Sequence, residues 1–130
     1  MIEKNLLGLI KVHKPRSALF TTYTLSLSFF EAVFLPVLRK AGCRDVSILL
    51  DADEARLSAF EAQAEFAGRR YWVAPVAAPG GGVFHPKLAY LAGDRDDLLV
   101  VGSGNMTLPG QSSQLETVDA VPSSSSPEVF

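Results

Sequence analysis

The stretch that decides the fold reads Phe84-His-Pro-Lys-Leu-Ala-Tyr-Leu-Ala-Gly-Asp-Arg-Asp-Asp-Leu-Leu-Val-Val-Gly-Ser-Gly-Asn-Met-Thr107. Its pattern predicts a strand that carries His85 and Lys87, a polar turn, a second apolar strand and a tight Gly-Ser-Gly-Asn turn. Residues two apart in an extended strand project to the same face, so we expect His85 and Lys87 to point the same way. An imidazole and a positive charge beside a glycine-rich turn form a combination that can enclose a phosphate.

Size and composition indicate one globular domain. The chain has 130 residues, of which 48% are hydrophobic and 20% are charged, as in ordinary globular proteins. The net charge of −2 argues against strong DNA binding through overall charge, although it leaves room for a local basic site. Cys43 is the only cysteine, which excludes an intrachain disulfide and a cysteine metal cluster. We expect no metal and no other cofactor.

The chain lacks the marks of export or membrane insertion. Its N-terminus has no long apolar core followed by a small-residue cleavage site, and no run of about 18 apolar residues occurs. A single free thiol suits a reducing compartment. We therefore predict a cytoplasmic protein without a transmembrane segment.

The elements around the opening stretch predict an α/β sandwich with a mixed sheet, because strands and helices alternate before several strands follow in succession. The lone Trp72 is predicted to lie in the core. We expect residues 1–121 to form the domain and the Ser-rich residues 122–130 to form a disordered tail. The predicted elements are a helix within residues 1–14, strands at Ser17–Leu27, Val46–Leu50, Tyr71–Val76 and Leu115–Val121, and helices at Phe29–Ala41 and Ala55–Ala67.

Two polar clusters have alternative interpretations. The sequence Asp51-Ala-Asp53-Glu54 follows a predicted strand, where it could form a metal or acid–base site. The favoured interpretation is a helix N-cap with acids that complement the helix dipole. The sequence Lys11-Val-His13-Lys14 could be a phosphate-contacting arm, but a solvated helix end is the favoured interpretation.

The sequences His85-Pro-Lys87 and Gly102-Ser-Gly-Asn105 together resemble one catalytic motif of the phospholipase D superfamily, whose pattern is His-x-Lys-x4-Asp-x6-Gly-Ser-x-Asn. The resemblance spans roughly Ser17–Val121, and its specific part is residues 85–116. It implies a phospholipase D-like α/β sandwich with a mixed, largely parallel central sheet flanked by helices.

This chain departs from that pattern in its middle. The family's Asp falls at Ala92, and the nearest acid is Asp94. The gap between Lys87 and Gly102 is three residues longer than in the pattern. Nuclease-like branches of the superfamily often lack this Asp, so the departure points toward them, while a degenerate site stays open.

The resemblance also implies a role for each residue. His85 would attack a phosphodiester and form a covalent phosphohistidine. Lys87, Ser103 and Asn105 would hold the non-bridging oxygens, where charge develops in the transition state. Glu116 would accept the other ring N–H of His85 and fix its tautomer.

A complete site of this family contains two such motifs, and the chain carries one. The other histidine, His13, has no Gly-Ser-x-Asn sequence behind it. The second histidine, which protonates the leaving oxygen, would therefore come from a homodimer that pairs two copies of His85. The alternative is a second motif in sequence beyond Phe130.

These observations predict a metal-independent phosphodiesterase that hydrolyses DNA when two motifs are paired. The alternatives are a phospholipid hydrolase or transferase, and an inactive binding or dimerisation module of a larger protein. His85 could also be a strand-edge histidine beside an ordinary turn. A groove lined by cations would favour nucleic acid, and the candidates are Lys11, Lys14, Arg16, Arg69 and Arg70.

Overall fold

The computed structural model describes residues 6–22, 26–55, 70–82, 87–102 and 118–124. Residues 52–55 are helical, and the predicted helix Ala55–Ala67 lies outside the described residues from residue 56 onward. The other elements are α1 (Leu6–His13), β1 (Ser17–Thr22), α2 (Leu27–Phe29), a π-helical turn (Phe30–Phe34), α3 (Leu35–Lys40), β2 (Asp45–Asp51), β3 (Trp72–Val76), a 3-10 turn (Pro79–Gly81), β4 (Leu88–Ala92), β5 (Asp97–Gly102) and β6 (Val118–Pro122).

Six strands form one mixed sheet in the order β3-β2-β1-β4-β5-β6. The strands β1, β2 and β3 are parallel, whereas β4, β5 and β6 pair antiparallel with their neighbours. The predicted α/β class and mixed sheet are confirmed. We call the edge where β1, β2 and β3 end the carboxyl edge, and the edge where they begin the amino edge. The strands β4 and β6 begin, and β5 ends, at the carboxyl edge.

One face of the sheet carries the core. In β2, Val46, Ile48 and Leu50 are buried, as the continuous apolar run predicted for a buried parallel strand. In β1, Ala18 and Phe20 face the same way and are also buried. The helices cover this face with the side chains Leu6, Leu9, Ile10, Phe30, Phe34, Leu35 and Leu38.

The second helical segment begins two residues before the predicted Phe29 and ends one residue before the predicted Ala41. The Ser26 hydroxyl accepts the N–H of Phe29 at 3.3 Å, so Ser26 is the N-cap. Gly42 ends α3 with a φ of 93°, a conformation that glycine adopts without a Cβ penalty. Pro36 restarts the α-helix after the wide π-helical turn, as expected from a residue without an N–H donor.

The prediction that Trp72 lies in the core is wrong, because its side chain is 62% exposed. The parallel register pairs Trp72 with Ser47, and both face away from α1, α2 and α3. The preceding Tyr71 is the core aromatic residue instead, and its side chain is fully buried. Its ring lies 4.9 Å from that of Phe30, and its hydroxyl donates to Glu31 at 2.8 Å.

This buried tyrosine makes the free energy of unfolding depend on pH in the alkaline range. Burial, together with the hydrogen bond to Glu31, raises the pKa of Tyr71 above its usual value of 10.0. Only the unfolded chain then releases this proton just above pH 10, so we expect the free energy of unfolding to fall as pH rises through that range.

Urea unfolding between pH 7 and pH 11 measures this effect, and the Tyr71→Phe variant should show a shallower decline. The comparison belongs in a Cys43→Ala background, because burial raises the pKa of Cys43 to about 11 and gives the thiol the same direction of effect. Equal slopes with and without the Tyr71 hydroxyl would contradict the prediction.

The end of β6 differs from the expected disordered tail at its first residues. Pro122 is part of β6, and Ser123 and Ser124 both donate through their hydroxyls to the Asp96 carboxylate. These hydrogen bonds lower the pKa of Asp96. Residues 125–130 lie outside the described residues, so the domain boundary otherwise stays a prediction. No described helix has the length and apolar character needed to cross a membrane.

Candidate active site

A backbone hydrogen bond joins the two parts of the predicted motif at the carboxyl edge. Lys87 directly precedes β4, and Gly102 is the last residue of β5. The N–H of Gly102 donates to the carbonyl of Lys87 at 3.1 Å. The hairpin therefore brings together two segments that are far apart in the sequence.

The strand β6 places a third residue beside Lys87 and Gly102. Val118, the first residue of β6, pairs with Gly102. Lys87, Gly102 and Val118 thus form a row across β4, β5 and β6. In the sequence, His85 lies two residues before Lys87, and Ser103 directly follows Gly102. Glu116 lies two residues before Val118.

Lys87 is the one predicted site residue that the structure describes, and its side chain is partly buried. The predicted residues outside the described part of the chain are His85, Ser103, Asn105 and Glu116.

A threonine of β1 fixes the start of β4. The N–H of Leu88 donates to Thr21 Oγ1 at 2.9 Å, so the residue next to Lys87 is bound to the neighbouring strand. The sequence analysis did not identify Thr21 as part of this region. Its only signal in the sequence is the β-propensity of threonine, which does not indicate which strand lies beside it.

Asp51 at the end of β2 is a helix cap. Its carboxylate Oδ2 accepts the N–H groups of Asp53 at 3.2 Å and Glu54 at 3.3 Å, and its side chain is buried. The favoured N-cap interpretation is confirmed at Asp51. Within the described ranges, no three side chains of the metal-ligating types come together.

Ala92, which occupies the position of the family's Asp, lies far from Lys87. Ala92 is the last residue of β4 and pairs with Ser17 and Asp97 at the amino edge. It lies five residue steps along the chain from Lys87, a distance of about 17 Å at the usual rise per residue. An acid at position 92 would therefore not touch a phosphate bound beside Lys87. The strands β4 and β5 pair without interruption from the pair Leu88 and Val101 to the pair Ala92 and Asp97. The three extra residues between Lys87 and Gly102 therefore do not disturb the strand pairing.

The described cations that were named as candidates for a nucleic-acid groove do not lie around Lys87. Lys11 and Lys14 lie at the end of α1, Arg16 directly precedes β1, and Arg70 comes just before β3. All four are therefore near the amino edge, because the parallel strands begin there. Arg69 lies outside the described residues. Sequence proximity to a strand did not reveal which end of the sheet these cations occupy.

The six-stranded sheet, in which three parallel strands are continued by three antiparallel ones, matches the phospholipase D-like solved structures in fold. The resemblance stated from the sequence is confirmed at the level of the fold, since the matching solved structures belong to the phospholipase D superfamily. Comparisons with protein-family models and with curated proteins find no match.

Two of these structures are yeast tyrosyl-DNA phosphodiesterase and NucT from Helicobacter pylori. The yeast structure matches with a TM-score of 0.56 and 12% identity over 87% of this chain and 27% of its own. NucT matches with a TM-score of 0.57 and 16% identity over 90% of this chain and 74% of its own. The chain thus spans about a quarter of the yeast protein.

Proposed function

We propose that this chain supplies one half-site of a metal-independent phosphodiesterase of the phospholipase D type, which hydrolyses DNA. The observation that carries the proposal is the hydrogen bond from Gly102 N–H to the carbonyl of Lys87. It holds the start of Gly-Ser-Gly-Asn beside the end of His-Pro-Lys. Fold likeness to a phosphodiesterase adds support at the level of architecture.

Covalent geometry limits how far the proposed residues can lie from this bond. Adjacent Cα atoms are about 3.8 Å apart, so Ser103 stays close to Gly102 and the Cα of His85 stays within about 8 Å of that of Lys87. An imidazole, an ammonium group and a hydroxyl can then surround one phosphate. In the proposed site, Lys87, Ser103 and Asn105 stabilise the charge that develops on the non-bridging oxygens.

The proposed reaction has two displacements. The imidazole of His85 attacks phosphorus, the bond to the leaving oxygen breaks, and a second imidazole gives that oxygen a proton. Water then attacks phosphorus, the P–N bond breaks, and the second imidazole takes a proton from the water. Glu116 would orient His85 through its other ring N–H. General acid–base help of this kind contributes about 10²–10⁴-fold.

The second imidazole must come from outside this copy of the motif. His13 is the only other histidine, and its Nε2 lies 2.8 Å from where a Cβ on Gly93 would stand, beside the β4–β5 turn. That turn is at the amino edge, so His13 cannot reach a phosphate at Lys87. We propose that a second copy of His85 completes the site in a homodimer, or that a second motif in the same polypeptide does so.

The choice of DNA over phospholipid rests on the yeast structure, whose name describes a phosphodiesterase that acts on DNA. A cleavage assay on labelled single-stranded and double-stranded DNA in EDTA tests the proposal. We expect EDTA-resistant cleavage that is lost in the His85→Ala variant, because the nucleophile is gone. His13→Ala is the matched control and should cleave like the original chain.

The oligomeric state belongs in the same experiment, measured by light scattering at the assay concentration. Absence of DNA cleavage by a confirmed dimer would contradict the proposed function. Equal cleavage by the His85→Ala variant would contradict the assigned nucleophile. Cleavage of phospholipid in preference to DNA would contradict the proposed substrate.

A further inference from the structure

We propose that the amino edge of the sheet is a second binding surface, which takes single-stranded nucleic acid and is separate from the site at Lys87. This inference rests on the proposed function in taking DNA as the ligand. The surface, which we call the basic edge, consists of the exposed cations Arg16, Arg39, Lys40, Arg44 and Arg70.

The parallel half of the sheet assembles these cations. Arg16 directly precedes β1, Arg44 directly precedes β2, and Arg70 comes two residues before β3. The N–H of Arg44 donates to the carbonyl of Arg16 at 3.0 Å, so these two strand starts are immediate neighbours. Strands lie about 4.8 Å apart, and the three starts therefore span about 10 Å.

The end of α3 adds Arg39 and Lys40 above the same strand starts, because α3 leads through Gly42 directly into β2. Together with Arg44, these two residues surround an open hollow of about 530 Å³. A concave surface with three cations at its border fits the phosphate groups of a polyanion.

At the amino edge, the described cations outnumber the described acids. Asp45 is exposed next to Arg44, and Asp94 lies 3.6 Å from Arg16 in an exposed ion pair. Glu31 borders the hollow, but its carboxylate accepts the hydrogen bond from the buried Tyr71 hydroxyl. Among the described residues the amino edge carries eight cations, namely the five of the basic edge with Lys11, Lys14 and Arg95, against five acids, which are Glu31, Asp45, Asp94, Asp96 and Asp97. The local excess is positive, in a chain whose net charge is −2.

An exposed tryptophan near Arg70 indicates which polyanion fits. Its ring is on the face of the sheet opposite to α3 and the hollow, so a strand that contacts both must cross the amino edge. Trp72 opens β3 two residues after Arg70, and 62% of its side chain is exposed. Proteins that bind single strands combine cations along the backbone with aromatic rings on which bases stack. Duplex DNA keeps its bases stacked inside, so a free base face requires a single strand. The pairing of Trp72 with the basic edge therefore points to single-stranded nucleic acid.

The lone tryptophan also provides the measurement. We expect a twelve-residue oligothymidine to quench the fluorescence of Trp72 at low salt in EDTA, in a His85→Ala background that prevents cleavage. The double variant Arg39→Gln/Lys40→Gln should weaken binding about tenfold, and it should reduce the salt slope of log K by about 1.4, since each phosphate contact on a single strand contributes about 0.7. Trp72→Ala should weaken the binding of a labelled oligonucleotide about tenfold.

The matched control is Lys11→Gln/Lys14→Gln, which removes the same charge at the same edge of the sheet, but at the end of α1, which borders the β4–β5 turn and not the hollow. A smaller loss in this control than in Arg39→Gln/Lys40→Gln supports a local surface. An equal loss in both double variants would overturn it, because overall charge would then explain the binding. A blue shift with phosphatidylserine vesicles, without quenching by the oligonucleotide, would also overturn the assignment.

Hydrolysis of a small diester distinguishes failure of this inference from failure of the proposed function. Bis(4-nitrophenyl) phosphate reaches the catalytic site without needing the amino edge. Hydrolysis of this diester without quenching of Trp72 would overturn the second surface and leave the proposed function standing. Quenching that weakens in Arg39→Gln/Lys40→Gln would support the surface even if no diester is hydrolysed.

Discussion

Replacement of Lys87 by alanine is expected to lower the rate of DNA cleavage about 10²–10³-fold, the usual effect of removing one preorganised group that stabilises transition-state charge. The substitution removes the ammonium group but keeps the backbone carbonyl that accepts the Gly102 N–H. The strand pairing at the site should therefore survive. We expect the midpoint of urea unfolding to stay close to that of the original chain.

Two further variants at this position separate charge from packing. Lys87→Gln keeps most of the side-chain length without the charge, and it should be as impaired as the alanine variant. Lys87→Arg keeps the charge and should recover part of the rate, although guanidinium and ammonium groups bind phosphate differently. Cleavage by Lys87→Gln at the original rate would show that the charge at this position plays no part in the reaction.

Replacement of Phe30 by alanine is expected to lower the free energy of unfolding by about 3–5 kcal/mol, the range for large-to-small changes in a packed core. Phe30 is fully buried. Its ring stacks on Phe34 at 5.8 Å and meets Phe20 edge-on at 6.0 Å. It also contacts Tyr71 at 4.9 Å, so the variant leaves a cavity among three rings.

The matched control for Phe30 is Trp72→Ala, because it also deletes a large aromatic ring. Trp72 is mostly exposed, so its loss should cost less than about 1 kcal/mol. Urea denaturation at pH 7 compares the two variants, with the slope of unfolding checked for a two-state transition. A larger loss in Trp72→Ala than in Phe30→Ala would contradict the burial that we describe.

Local patterns were sufficient to predict much of the fold. The strand at Val46–Leu50 and the helical segment near Phe29–Ala41 depend on neighbours in sequence, and the structure confirms both. The choice between Tyr71 and Trp72 depends instead on the register of β3 against β2. A shift by one residue exchanges the two faces of a strand, and the sequence carries no signal for that register.

The candidate site was predictable only as a motif. The sequence showed that Lys87 and Gly102 belong together, because the family pattern contains both. It could not show that Thr21 binds the residue next to Lys87, since this contact joins residues 67 positions apart. The separation of Ala92 from Lys87, in contrast, follows from the extended strand that the sequence already predicts after Lys87.

The backbone hydrogen bond between Gly102 and Lys87 provides a local measure of how often the strands separate at the carboxyl edge. An amide engaged in such a bond exchanges its hydrogen for deuterium only when the strands separate, so the exchange rate of Gly102 reports how often β4 and β5 part. Residues at the ends of strands open more readily than those in the middle. If phosphate binding closes this edge, inorganic phosphate should slow the exchange of Gly102 and leave that of Leu91, in the middle of the sheet, unaltered.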